Sequence, residues 1–237
     1  MPEVTGGSRN RQHSRNAEHS CNASTPATPG RPSVLPPPAR HNDGVTPFDA
    51  VLCDLDGVLR QFDHAVQADI EARYGLPLMR TAFDPALIGP AVLGVTTERE
   101  WAEAIAVALG DDERARQAVA EFIEVPFWVD EEVRALLAKA QEHVPVVLVT
   151  NAMDTVEEHL DRMGLTYFAD ALVSSARVGL AKPDRRIYEL AAELAGAAPE
   201  RCLFVDDRLE NVEAARSLGM TGVHFRTAAD LAAALGR

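Results

Sequence analysis

The first long apolar run of the chain is Phe48-Asp49-Ala50-Val51-Leu52-Cys53, whose apolar and β-branched residues predict a buried strand ending in Asp54-Leu55-Asp56-Gly57. Beyond it the period changes to that of helices. Val66, Ile70 and Tyr74 share a stripe on a helix that starts at Asp63 and stops at Gly75-Leu76-Pro77. The next helix begins at Thr97, where Glu100 completes a capping box, with Trp101, Ile105 and Ala108 inward and Gly110 closing it. Asp111 starts another, burying Ala115, Ala118, Val119 and Phe122 and ending before Pro126. Trp101 and Trp128 read as core or hinge packing, where large aromatics usually sit.

From Asp130 onward helix and strand alternate strictly. Asp130 caps a helix with Val133, Leu136 and Leu137 inward, and Val146-Val147-Leu148-Val149 follows as a strand ending in Thr150-Asn151. A helix from Asp154 to Met163 stops at Gly164; Ala171 to Ser174 is a short strand; Asp184 to Ala195 is helical; Cys202 to Val205 is a strand ending in Asp206-Asp207. The last round is a helix from Leu209 to Leu218, Gly219 as its stop, a strand from Gly222 to Phe225 and a helix from Ala228 to Leu235. Five strands spaced by helices of this length predict an α/β fold with a parallel sheet covered on both faces.

Composition narrows the function classes. With 237 residues, 46% hydrophobic and 25% charged, the chain can bury a full core. Residues 1–46 are rich in Ser, Asn, Thr, Pro and Gly without apolar periodicity, which predicts a disordered N-terminal tail. That tail has five Arg against Glu3, Glu18 and Asp43, or +2, so the remainder carries −15 of the net −13. Such an acidic body argues against nucleic-acid binding. Cys21, Cys53 and Cys202 lack zinc spacing, and the last two fall in apolar runs, as reduced, buried thiols do. The longest apolar run, Val144 to Val149, is too short for a membrane span, and the N-terminus lacks the apolar stretch of a signal peptide. A cytoplasmic protein without membrane contacts is expected.

The polar clusters then fall in one place. Asp54 and Asp56 follow the first strand, Thr150 and Asn151 the second, and Asp206 and Asp207 the fourth, while Lys182 lies in the loop Gly179-Leu180-Ala181-Lys182-Pro183-Asp184 before a helix. In a parallel sheet the C-terminal strand ends converge. An isolated Asp-x-Asp-Gly also fits a turn or helix cap. Acids arriving from several strand ends, with a hydroxyl and a lysine, instead predict a phosphate and metal site.

These residues resemble the haloacid dehalogenase superfamily of phosphohydrolases. Asp54-Leu55-Asp56-Gly57-Val58, Val149-Thr150-Asn151, Lys182-Pro183-Asp184 and Phe204-Val205-Asp206-Asp207 match its four motifs in order. The resemblance implies a Rossmann-like core (47–62 and 129–237) with a five-stranded parallel sheet, and a small α-helical cap of the first subfamily inserted at 63–128. It also implies that Asp54 is the nucleophile and Asp56 the acid and base. Mg²⁺ would be held by Asp54, the Asp56 carbonyl and Asp207, with Asp206 behind it and Asn211 orienting Asp207 or a water on the cation. Thr150, the Asn151 main-chain amide, Lys182 and Gly57 would form the phosphoryl-binding set. The implied activity is hydrolysis of a small phosphorylated metabolite through an aspartyl-phosphate, by a monomer or homodimer, with sugar-phosphate phosphomutase as the alternative. Receiver-type signalling domains use similar parts in a different chain order. Asp56 argues against carbon–halogen cleavage, and Arg185 departs from the proline common in relatives. Arg60, Gln61, Phe62 and the cap side chains facing the site would select the ester.

Overall fold

The computed structural model describes residues 47–236; the tail of 1–46 and its Cys21 lie outside the described residues. β1 (Ala50–Cys53), β4 (Val146–Thr150), β5 (Ala171–Ser174), β6 (Cys202–Asp206) and β7 (Thr221–His224) form one parallel sheet in the order β5-β4-β1-β6-β7. The sheet grows from central β1 first toward β5 and then toward β7, which puts a topological switch point beside β1. Strand residues alternate between two cores. Val51, Cys53, Val146 and Leu148 face α6 (Glu131–Gln141), α7 (Val156–Arg162) and α11 (Ala228–Ala234). Ala50, Leu52, Val147 and Phe204 face α9 (Arg185–Ala195) and α10 (Leu209–Ser217). Burial on both faces explains why these strands read as continuous apolar runs. Among the described residues no helix is long and apolar enough to cross a membrane.

Between β1 and α6 an antiparallel ribbon of β2 (Arg60–Phe62) and β3 (Phe127–Val129) carries a separate helical layer. The layer comprises α1 (His64–Tyr74), α2 (Leu78–Ala82), α3 (Pro85–Val92), α4 (Glu98–Ala108) and α5 (Glu113–Ile123). Its own core holds Ile70, Leu78, Trp101, Ile105, Val119 and Phe122. Capping chemistry sets its boundaries: Asp63 accepts from Ala65 and Val66 N–H, Gly75 ends α1 at φ +60°, and the Thr97–Glu100 box starts α4.

The structure corrects several local expectations. Two helices, α2 and α3, occupy 78–92, where the pattern predicts none; each is short, and α3 contains Gly89 and Pro90. Asp112 rather than Asp111 caps α5, because Asp111 sits at φ +55° in the turn and pairs with Arg116. Ala108, in the last turn of α4, is exposed, and Ala106 is buried instead. Trp128 is half exposed on the β2–β3 ribbon, whereas Trp101 is buried and its indole N–H donates to the Ala82 carbonyl. α7 starts at Val156, and a short α8 (Ser175–Val178) follows β5. Asp154 accepts from Glu98 N–H at the start of α4, 2.8 Å away, and so tethers the helical layer to the loop after β4. Gly94 lies against α8, where a Cβ would stand 2.2 Å from the Ala176 carbonyl. The close approach requires glycine.

Candidate active site

Asp54 follows β1 directly, and its N–H still donates to the Val205 carbonyl, so the sheet ladder fixes its Cα at the switch point. One carboxylate oxygen accepts from Leu55 N–H at 2.7 Å. Lys182 Nζ lies 2.7 Å from this same oxygen and 2.7 Å from Asp206 Oδ2, with the lysine side chain 1% exposed. Lys182 is delivered from the α8–α9 loop, and that loop is anchored by Asn151. The Asn151 amide donates to the Lys182 carbonyl at 2.9 Å and accepts from Lys182 N–H at 2.7 Å. Asn151 thus acts on the lysine through its side chain, a role the motif does not announce.

Asp206 and Asp207 are adjacent in sequence and differ in surroundings. Asp206 is fully buried and saturated, accepting from Lys182, from Arg208 N–H and from the Asn211 amide. Asn211 therefore bonds to Asp206, not Asp207, and Tyr188 in turn donates to the Asn211 carbonyl at 3.1 Å. Asp207 is exposed at the rim, and its carboxylate lies over Gly57, where a Cβ would stand 2.5 Å from Oδ2. Gly57 has φ +77°, so glycine is required there on both counts. Oxygens of Asp54, Asp206 and Asp207 come within 4.8 Å of one another.

Burial and crowding raise Asp54 well above the usual carboxylate range; Lys182 opposes this, while Asp206 and Asp56 add to it. Burial alone would lower Lys182, but Asp54 and Asp206 outweigh it and hold the amine charged. Asp207, although at the rim, has its carboxylate partly shielded from water over Gly57, and this partial burial and the charge of Asp206 raise it. Three carboxylates against one ammonium leave excess negative charge, and all the clustered donors are hard oxygens, which suits a small divalent cation. The Thr150 hydroxyl at the end of β4 is fully buried and has no partner among the described residues. An orphaned hydroxyl beside such a cluster fits an oxyanion acceptor.

Asp56 stands apart from this cluster. Its carboxylate is 37% exposed and forms a two-pronged ion pair with Arg60, one contact being 2.9 Å. Sequence reasoning set Arg60 among the side chains that would select the ester and missed its pairing with Asp56, although the spacing of four residues was a signal for it. Ser175 is another residue it missed: its hydroxyl accepts from Ala152 N–H and donates to the Ala152 carbonyl, bracing the loop after Asn151. Both cysteines among the described residues are buried and unbridged; burial raises the Cys53 thiol and pushes Cys202 up to about 12, so neither is a reactive thiolate.

The sequence profile of haloacid dehalogenase-like hydrolases matches residues 48–219. Among curated proteins, a phosphatase from Mycobacterium tuberculosis is 29% identical over 73% of this chain and 85% of its own. A phosphoserine phosphatase from Thermus thermophilus is 30% identical over 68% of this chain and 64% of its own. A haloacid dehalogenase (HAD) family enzyme from Bacteroides thetaiotaomicron, solved with magnesium and inorganic phosphate, superposes with a TM-score of 0.62 at 21% identity, covering 73% of this chain and 92% of that one. The strand-end cluster, the sheet order and these matches agree: the chain belongs to the haloacid dehalogenase-like hydrolase family.

Proposed function

We propose that the protein is a Mg²⁺-dependent phosphomonoester hydrolase that acts on a small phosphorylated metabolite through an aspartyl-phosphate on Asp54. The observation that carries this reading is the buried Asp54–Lys182–Asp206 bridge beside an unpartnered Thr150 hydroxyl and a rim carboxylate, Asp207. Asp54, the Asp56 carbonyl and Asp207 would hold the cation, because Asp206 is already saturated by Lys182, Asn211 and Arg208 N–H. When bound, Mg²⁺ neutralises the excess carboxylate charge and screens Asp54 from the anionic phosphoryl group.

In this reading an Asp54 oxygen bonds to phosphorus as the ester oxygen departs with its electron pair and takes a proton from Asp56. The Thr150 hydroxyl, the Asn151 main-chain N–H and Lys182 donate to the phosphoryl oxygens and stabilise the charge that spreads over them. Asp56, now ionised, removes a proton from water as the water oxygen bonds to phosphorus. The Asp54–phosphorus bond breaks, and its electron pair returns to the carboxylate. Residues 63–128 would form the cap over the core of 47–62 and 129–237, with the β2–β3 ribbon as the joint. A cytoplasmic location agrees with the buried free thiols.

A panel of sugar phosphates, nucleotides, phosphoserine and glycolytic acids, assayed with Mg²⁺ and with a chelator, tests the proposal. Turnover that needs Mg²⁺ and disappears in Asp54→Asn supports it. Turnover that survives either change contradicts it.

A further inference from the structure

Building on the role of Asp56 above, we propose that Arg60 is the positioning residue that sets the orientation of the Asp56 carboxylate and ties it to the joint between the helical layer and the sheet. Arg60 is 5% exposed, an uncommon state for a guanidinium, and every part of it is engaged. Nε and Nη2 meet the two Asp56 oxygens in the fork geometry that fixes the plane of a carboxylate as well as its distance. Nη1 lies 3.0 Å from His159 Nδ1 on α7. Arginine only donates, so Nδ1 is the acceptor and the ring proton sits on Nε2. Burial and the charge of Arg60 both lower the His159 pKa, which agrees with a neutral ring.

The guanidinium carbon also stands 5.1 Å from the Phe62 ring and 5.5 Å from the Phe127 ring. Those two residues are directly opposite each other on β2 and β3. Their rings pack edge to face, the Phe127 ring is 5.2 Å from that of His159, and the Arg162 guanidinium covers Phe127 from a further side at 4.9 Å. Both strands of the ribbon and one core helix therefore converge on a single cation, whose fork points at Asp56. Among the described residues Arg60 is the one hydrogen-bond partner of the Asp56 carboxylate, so this arginine supplies the rigidity. Lysine could keep the charge but not the two-pronged geometry or the stacking.

The test uses p-nitrophenyl phosphate with Mg²⁺ and compares wild type, Arg60→Met, Arg60→Lys, Asp56→Asn and the Asp56→Asn/Arg60→Met double variant. A displaced base slows discharge of the aspartyl-phosphate more than its formation from an activated aryl ester. Both Arg60 variants should therefore lower kcat by about 10- to 100-fold, the scale set by a misplaced catalytic group. They should also show a burst of about one nitrophenolate per chain before the slow phase, a readout that loss of stability does not produce. The double variant should be no slower than Asp56→Asn, because there is no longer a carboxylate to position.

His159→Leu gives an independent check, since it leaves Arg60 and Asp56 in place and should lower kcat by a smaller factor with the same burst. Wild-type kcat in Arg60→Met overturns the proposal, as does full recovery in Arg60→Lys or a double variant that falls by the product of the two single effects. Undiminished turnover in Asp56→Asn has a different meaning: the assignment of Asp56 as base fails, and the inference falls with it.

Discussion

Replacing Asp54 by asparagine should stabilise the metal-free protein while abolishing turnover. The Asp54 side chain is 7% exposed and shares the single Lys182 ammonium with Asp206 at equal distances of 2.7 Å. A buried carboxylate carries a desolvation cost of several kcal/mol, whereas its charge-assisted bond to Lys182 returns about 1.5–3 kcal/mol. Asparagine is nearly isosteric, keeps an oxygen for Leu55 N–H and Lys182, and leaves a balanced Lys182–Asp206 pair. A net gain of about 1–3 kcal/mol follows, or a rise in melting temperature of roughly 2–12 °C for a domain of this size.

The sign with pH is also determined. The folded-state pKa of Asp54 lies above the usual 3.8, so ionisation weakens the fold at neutral pH, and the penalty disappears as pH falls through the folded value. The advantage of Asp54→Asn should therefore be greatest near pH 7 and shrink on acidification. Adding Mg²⁺ should also reduce it, because the cation offsets the charge in the wild type only. Thermal melts followed by circular dichroism, with chelator and with Mg²⁺, read all three effects. A metal-free variant that melts at or below the wild type would refute the claim that the site holds uncompensated charge.

Three further predictions rest on separate features. Gly57→Ala should raise the Mg²⁺ concentration needed for half-maximal activity several-fold, because its Cβ displaces the Asp207 carboxylate; an unchanged metal requirement would remove Asp207 from the ligand set. Gly94→Ala should raise KM more than it lowers kcat, since the helical layer cannot seat against Ala176, and wild-type KM would show that this contact is irrelevant to substrate capture. His159→Asn should flatten the acid side of the stability profile. The neutral ring is favoured in the fold, so its contribution is complete above pH 6.5 and is lost as pH falls through the lower folded value. Identical melting curves for wild type and variant from pH 7 to 5 would contradict this.

The three central strands β1, β4 and β6 were legible because they are buried on both faces and each ends in a polar cluster. Val146 to Thr150 needs no tertiary knowledge to be read as a strand that delivers a hydroxyl. Helices with strong caps, such as those beginning at Thr97 and Asp130, were equally plain. α2 and α3 were hidden because they span five and eight residues, too few turns for a clear period. β2 and β3 are three residues each and exist only by pairing across the whole helical layer. The same non-local pairing hid the Arg60 seat, since Phe127 and His159 lie far away in sequence. The capping role of Asp154 toward α4 was invisible for that reason as well: the residue reads as the start of its own helix, not as a partner of Glu98.

Covalent capture at Asp54 followed by discharge through Asp56 is the core of the proposed mechanism, and intact-mass spectrometry of Asp56→Asn tests both at once. Mixed with Mg²⁺ and p-nitrophenyl phosphate, the variant should gain one phosphoryl group, located on Asp54 by fragmentation, while the wild type stays essentially unlabelled because it turns over. If the wild type accumulates the adduct and releases it only on addition of a sugar phosphate, the chain is a mutase rather than a hydrolase. If neither protein is ever labelled, with Mg²⁺ and several donors, Asp54 is not a nucleophile and the central claim is wrong.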